Sequence, residues 1–221
     1  MPTKVHRPTT FPLPRELVEQ WAQVPASIAA DVLEGLTLVD PAIRPLRPLP
    51  PGGRLVGSIV TALCEGTDYG AVHHAIAVAG PGDVILIEAG GRPNPAVIGE
   101  LLSGAARRKG IAGVVVNGAV RDTGRLARWQ DFVVFTRHIT PRGPSSMDRG
   151  TVNDVIAFAG TRVAPHDLVI GDDDGLVVIP RAAAEARLGA ALARVAAEEA
   201  WERELASGRT TLDVFQVPPA G

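Results

Sequence analysis

Apolar and polar positions along this chain change period several times, and each change marks an element. From Leu55 to Cys64 ("LVGSIVTALC") and from Asp83 to Gly91 ("DVILIEAGG") aliphatic residues follow one another almost without a break. That is the pattern of strands covered on both faces. Gly113 to Val120 ("GVVVNGAV") and Asp131 to Ile139 ("DFVVFTRHI") repeat it. Between these runs the spacing becomes helical, over Thr67 to Gly80, Val97 to Gly110 and, briefly, Thr123 to Trp129. In the second of these, starting near Ile98, the apolar stripe is Ile98, Leu101, Leu102, Ala105 and Ala106. Arg107, Arg108 and Lys109 suit the negative end of its dipole, and Gly110 closes it. Alternating strands and helices predict βαβ units around a largely parallel sheet.

The flanks read differently. Residues 1–14 form a Pro-rich arm, and Pro14 to Gln23 and Val24 to Gly35 read as short helices, the second closed by Gly35. Leu46 to Leu55 reads as a stiff loop. Between Val152 and Pro180 lie three strand-like runs without a helix, predicting an antiparallel hairpin region. Arg181 to about Ser207 is one long Ala-rich helix with a stripe of Leu188, Leu192 and Val195, stopped by Gly208 and followed by a tail, 208–221. The expected class is α/β in a single domain over 1–221.

Composition narrows the core and the setting. With 46% hydrophobic but only 4% aromatic residues, the core must be Val, Leu, Ile and Ala. A net charge of -2 leaves no electrostatic footprint for nucleic acid. The single cysteine, Cys64, excludes an intrachain disulfide framework and a zinc site of several thiolates. No signal core or 18-residue apolar stretch is present, so a soluble cytoplasmic protein without membrane attachment is expected.

The candidate chemistry sits at one sheet edge. In a right-handed βαβ unit the helix starts at the carboxyl edge of the sheet, and the next parallel strand returns to that edge. Gly99-Glu100 at a helix start and Arg121-Asp122 at a strand end therefore meet despite 20 intervening residues. Open α/β sheets bind ligands at this edge. Amides around Gly99 to Leu102, including Leu101, can hold an anion, and Gly99 leaves room for close approach. Arg121 offers a planar fork to a carboxylate. Asp122 is a hard oxygen ligand suited to Mg²⁺ or Mn²⁺, with Glu100 placed to hold a metal-bound water. A surface ion pair and a site for a 2-oxo acid are both compatible with this pattern.

Other features carry plainer readings. "GDDDG" (Gly171 to Gly175) is a hairpin turn signal before it is a metal loop. His73 and His74 sit mid-helix, so at most one faces inward, and a structural histidine is the expectation. Cys64 is expected in the core, and Asp31 is expected on a helix surface.

Four blocks, "AVHHAIAVAGPGDVILIEAGG", "GELLSGAARRKGIAGVVVNGAVRD", "PRGP" and "DLVIGDDDGLVVIP", together resemble the family of 4-hydroxy-4-methyl-2-oxoglutarate aldolases and RraA-like regulators of ribonuclease activity. The likeness runs from roughly Asp31 to Leu205. An acidic residue, twenty residues and then Arg-Asp is the family signature. The resemblance implies a swivelling α/β/α fold and a homo-oligomer, a trimer or a dimer of trimers (a hexamer). It also implies a class II, metal-dependent pyruvate aldolase acting on a small-molecule 2-oxo acid. By resemblance Gly99, Glu100, Leu101, Leu102 and Arg121 bind substrate, and Asp122 binds the divalent metal. Glu100 and Arg121 take catalytic roles, and a glutamate of the neighbouring subunit's C-terminal helix, Glu198 or Glu199, approaches the metal waters, with Glu199 the preferred candidate. One departure stands out: Arg125 occupies a position where the family commonly has a carboxylate.

The implied reaction cleaves a 4-hydroxy-2-oxo acid such as 4-hydroxy-4-methyl-2-oxoglutarate to pyruvate and a carbonyl product. Oxaloacetate decarboxylation through the same enolate is an expected side activity. No lysine lies in the pocket motifs, which argues against a Schiff base. The alternative is a non-catalytic regulator that binds a ribonuclease or other protein.

Overall fold

The computed structural model describes residues 2–33 and 38–220. The end of the second predicted helix, with Gly35 as its stop, lies outside the described residues. The N-terminal arm contains a short strand, Lys4–Val5 (β1), and two helices follow, Arg15–Trp21 (α1) and Ala26–Val32 (α2), each entered through a proline. Next come Arg44–Pro45 (β2), Leu55–Leu63 (β3), Gly70–Val78 (α3), Val84–Glu88 (β4), Ala96–Ile98 (β5) and Glu100–Arg108 (α4). Gly113–Val120 (β6), Thr123–Leu126 (α5) and Val133–Ile139 (β7) complete the alternating half.

Strands β3, β4, β6 and β7 pair parallel in that order, as the alternation predicts. The edges are antiparallel: Thr151–Val152 (β8) lies against β3, and β2 against β7. Strand β1 pairs with β8, so the Pro-rich arm adds a strand to the sheet. The region read as three runs holds four further strands beyond β8. Ile156–Phe158 (β9) and Thr161–Val163 (β10) form a separate hairpin, and Leu168–Asp172 (β11) and Gly175–Ile179 (β12) form a second one that joins β3. The chain ends in a 26-residue helix, Arg181–Ala206 (α6), and one unanticipated short helix, Thr211–Val214 (α7), within the predicted tail.

Period-two alternation splits the core between the faces of these sheets. Ile85, Ile87, Val114 and Val116 face α3 and α4, with Val72, Ala75, Ile76 and Ala106 packed onto them. Leu86, Val115 and Phe135 face the other way, toward Phe158, Val169 and Val178. The far side of the β11–β12 hairpin, with Leu168, Ile170 and Val177, is covered by Trp21, Ile28, Leu188 and Ala191 of the helices α1, α2 and α6. Trp21 Nε1 donates to the carbonyl of Ala184 at 2.8 Å, so even its polar edge is satisfied there.

Ile98 departs from its predicted place. It belongs to β5, pairs with Val120 and is 2% exposed, and the helix starts two residues later. Apolar residues three apart satisfy a helical stripe and a buried strand equally, and Gly99 is where one ends and the other begins. Leu101 is the second departure: with the helix starting at Glu100, it points outward and is 81% exposed.

Among the described residues no helix is long and apolar enough to cross a membrane.

Candidate functional site

The βαβ argument places Gly99-Glu100 beside Arg121-Asp122, and the structure puts them in contact. The Arg121 amide donates to the carbonyl of Ile98 at 3.1 Å, and the Glu100 amide donates to Asp122 Oδ2 at 3.0 Å. Gly99 is glycine for space, not for backbone freedom, since its φ of -150° suits any residue. A Cβ there would fall 2.5 Å from Asp122 Oδ2 and 2.7 Å from Arg121 Cγ. Asp122 itself has φ 58°, an uncommon left-handed conformation that Asp tolerates better than most residues. It heads α5 yet makes no side-chain cap there, and gives its carboxylate to the start of α4 instead.

Only part of the predicted anion-binding turn is free. The Glu100 amide is taken by Asp122, whereas the amides of Leu101 and Leu102, at the N-terminus of a nine-residue helix, have no intrahelical acceptor. Both residues line a cavity of about 150 Å³ with Gly99, Arg121, Asp122 and Pro144. Arg121 and Asp122 also line a wider cleft of about 570 Å³, whose wall includes Glu100, Arg125 and Arg128. Their side chains are 42% and 43% exposed, and Arg121 Nε stands 3.8 Å from Asp122 Oδ2. This is a loose pair at a wet edge, contributing little to stability and leaving the guanidinium fork open to a ligand.

Glu100 is engaged by the residue that departs from the family pattern. Arg125 Nε donates to Glu100 Oε1 at 2.9 Å, which draws the carboxylate onto the cleft wall. Neither cavity is lined by a lysine. Glu198 and Glu199 line neither: α6 packs on α1 and α2, in a different layer from Arg121. Glu198 is held by Arg194 at 2.9 Å, while Glu199 is exposed and makes no ion pair among the described residues.

Two features of this region were not singled out in the sequence, and a third was read differently. A Cβ on Gly143 would collide with the Arg121 guanidinium, so this glycine makes room for the cation; "PRGP" signals only a turn. Asp68, with no exposed surface, ties the loop after β7 to the start of α3. It accepts from Ser146 Oγ at 2.5 Å and from the amides of Gly70, Arg149 and Asp148 at 2.7, 3.0 and 3.2 Å. Burial pushes its proton affinity up, but these donors outweigh it and hold the carboxyl well below the usual range. An Asp two residues ahead of a helix start is a turn signal that could have revealed it.

The third is His73. As anticipated, one histidine of the pair turns inward and the other, His74, is exposed. His73, however, lines the small cavity, and its Nε2 is buried with no hydrogen-bond partner among the described residues. Leaving such a group unpaired costs about 1–3 kcal/mol. Burial, reinforced by neighbouring His74, lowers its pKa and keeps the ring neutral.

Three plainer expectations are met. The Asp residues of "GDDDG" close the β11–β12 hairpin, with Asp172 accepting from the amides of Ala26 and Asp174. Cys64 is buried, its thiol pushed up to about 12 by burial and then by Asp68 and Glu88. Asp31 lies on a helix surface, 3.8 Å from Arg194.

Comparison with known proteins adds a second line. Residues 28–178 match the model of the RraA-like family, described as Aldolase/RraA. A Halalkalibacterium halodurans protein provisionally named 4-hydroxy-4-methyl-2-oxoglutarate aldolase is 35% identical over 86% of this chain and 89% of its own. A Thermus thermophilus protein named 4-hydroxy-4-methyl-2-oxoglutarate aldolase is 33% identical over 55% of this chain and 74% of its own. The solved structure of Streptomyces coelicolor RraAS2, titled an unusual member of the RNase ES inhibitor RraA protein family, superposes with a TM-score of 0.76. It is 26% identical, covering 90% of this chain and 100% of that one.

Proposed function

This chain belongs to the RraA-like family, Aldolase/RraA, and from that premise we propose that it is a divalent-metal-dependent lyase on 2-oxo acids. It would cleave a 4-hydroxy-2-oxo acid such as 4-hydroxy-4-methyl-2-oxoglutarate to pyruvate and a carbonyl product. Oxaloacetate decarboxylation is the accompanying side activity.

The observation that carries this reading is a shared wall. Arg121 and Asp122 line both the 150 Å³ cavity and the 570 Å³ cleft. At ~30 Å³ per water-sized group the smaller space takes about five such groups, the scale of a pyruvyl unit. The rest of the substrate then lies in the cleft, and the bond to be broken sits at the wall. Arg121 and the Leu101 and Leu102 amides grip the carboxylate, and the Arg121 charge stabilises the enolate as C3–C4 breaks. Glu100, on the cleft wall, accepts the 4-hydroxyl proton directly or through a water. The absence of lysine from both linings accords with a route without a Schiff base.

The donor set fits a hard cation that keeps most of its water. Among the described residues no three His, Cys, Asp or Glu side chains cluster to hold a metal. Asp122 alone would hold Mg²⁺ or Mn²⁺, which commonly bind through one or two carboxylates plus waters. Bound there, the metal supplies electrophilic stabilisation of the developing enolate charge. Glu199, exposed and without an ion-pair partner among the described residues, is the better candidate of the two glutamates to reach a neighbouring site in a trimer or a dimer of trimers. Glu198 is already tied to Arg194.

Pyruvate release from oxaloacetate, with and without EDTA and then with Mg²⁺ restored, tests the reading. Metal-dependent release is expected. Full activity in metal-free protein would eliminate the mechanism. An inert protein that binds a ribonuclease would favour the regulator reading, which the RraAS2 likeness supports.

A further inference from the structure

We infer that His73 is a ligand-contacting residue of the small cavity, donating or accepting a hydrogen bond to the 2-oxo acid. The inference rests on the reading of that cavity as the pyruvyl pocket. Four observations point the same way. His73 shares the cavity wall with Gly99, Arg121 and Asp122. Its Nε2 is buried and has no hydrogen-bond partner among the described residues, so a ligand in the cavity pairs it only with a small local shift of the wall. Its ring packs edge-to-face on Tyr69, with centroids 4.8 Å apart at 61°, so its orientation is held rather than left to solvent. And the helix carrying it cannot drift: Gly70, one turn earlier, is pressed on the loop after β7 so closely that a Cβ would fall 2.8 Å from the backbone of Met147.

A purely structural histidine would look different. It would spend a ring nitrogen on a carbonyl or carboxylate, as His138 does when its Nε2 meets the Gly91 carbonyl at 3.1 Å. A helix that needed only apolar filling could use Leu or Phe at this position without an orphaned nitrogen. The charged and titratable groups on the same wall are Arg121, Asp122 and Tyr69, with His74 adjacent on the helix. A neutral ring beside Arg121 adds hydrogen-bonding capacity without a second positive charge.

The experiment compares His73→Phe, His73→Gln and, as an exposed control, His74→Ala in the full chain. Pyruvate affinity is measured by calorimetry, oxaloacetate turnover by pyruvate release, and stability by thermal melting. His73→Phe keeps the ring volume against Tyr69 and removes the orphan, so its melting temperature should equal or exceed that of the wild type. Its pyruvate affinity should nevertheless fall about tenfold or more, and kcat/KM with it. His73→Gln should recover part of both, and His74→Ala should change neither. His73→Phe binding pyruvate and turning over like an active wild type would overturn the inference and leave the lyase reading intact. A wild type that neither binds pyruvate nor decarboxylates oxaloacetate would overturn both. Should His73→Phe fail to fold, the ¹⁵N signals of His73 in wild-type protein decide: a shift on adding pyruvate supports the contact, and an unmoved signal refutes it.

Discussion

Arg125 Nε and Glu100 Oε1 meet at 2.9 Å across 25 residues of chain, on the rim of the wider cleft. The side chains are 63% and 36% exposed, so their attraction is screened and worth at most about 1 kcal/mol. Its consequence is positional. Glu100 is drawn to the rim, and a cation stands where acidic leaving halves would pass. Arg125→Ala should therefore leave the melting temperature within about 3 °C of the wild type. It should raise KM roughly three- to tenfold for a substrate whose departing half carries a carboxylate, and leave an uncharged homologue nearly unaffected. Equal effects on both substrates would remove Arg125 from specificity.

Gly143 offers a cleaner test of the Arg121 pocket. An added methyl there meets only the far end of the Arg121 side chain, which can swing away at small cost to folding. Gly143→Ala should thus melt normally yet lose about 30-fold or more in kcat/KM, the scale of one misplaced charge-assisted contact. A variant that melts early but turns over normally would show that the glycine serves the loop alone.

The two residues at the strand end should separate by chemistry. Arg121→Lys keeps the charge but loses the fork, and should raise KM and lower kcat, with kcat/KM down about 30- to 1000-fold. Asp122→Asn nearly keeps the shape but removes the anionic ligand, so part of its activity should return at high Mg²⁺. Both should remain folded, because the pair is loose and exposed. Early melting of both, with normal turnover by the folded fraction, would make the pair structural.

Asp68 should make stability depend on acid. Its folded proton affinity lies below that of an unfolded Asp, so the unfolded chain binds the extra proton first as pH drops. The stabilisation is complete above the ordinary carboxylate range, near pH 4 and upward, and is lost progressively as pH falls toward the folded value. Asp68→Ala strands Ser146 and three amides and should cost on the order of 3 kcal/mol at neutral pH. Urea melts at pH 7 and pH 3 check it: the gap between wild type and variant should narrow in acid. A gap independent of pH would show that the charge is not what matters.

The alternating half of the fold was legible because strands buried on both faces leave long aliphatic runs, as in Val84–Glu88 and Gly113–Val120. The site edge followed from handedness alone, which brings Gly99 to Arg121 whatever the side chains are. What the residues did not reveal has identifiable causes. Two-residue strands such as Lys4–Val5 are too short for a period, and Ile98 fits two periods at once. Gly143 and Asp68 act across 22 and 78 residues, through contacts to Arg121 and Ser146 that leave no local mark. His73 reads as a structural histidine in the sequence because its neighbours on the cavity wall come from three other chain segments.

Because Arg121 and Asp122 stand between a small cavity and a wide cleft, a molecule cut at that wall separates into halves with unequal freedom to depart. On the lyase reading the carbonyl half lies in the wider, more open cleft and the pyruvyl half in the narrower cavity beside Arg121 and the α4 amides. A lyase built on this wall would be expected to follow an ordered kinetic scheme, with the carbonyl product first out and pyruvate last. Pyruvate should inhibit competitively against the substrate, and the carbonyl product noncompetitively. In the condensing direction the order reverses, and pyruvate must be seated before its partner arrives.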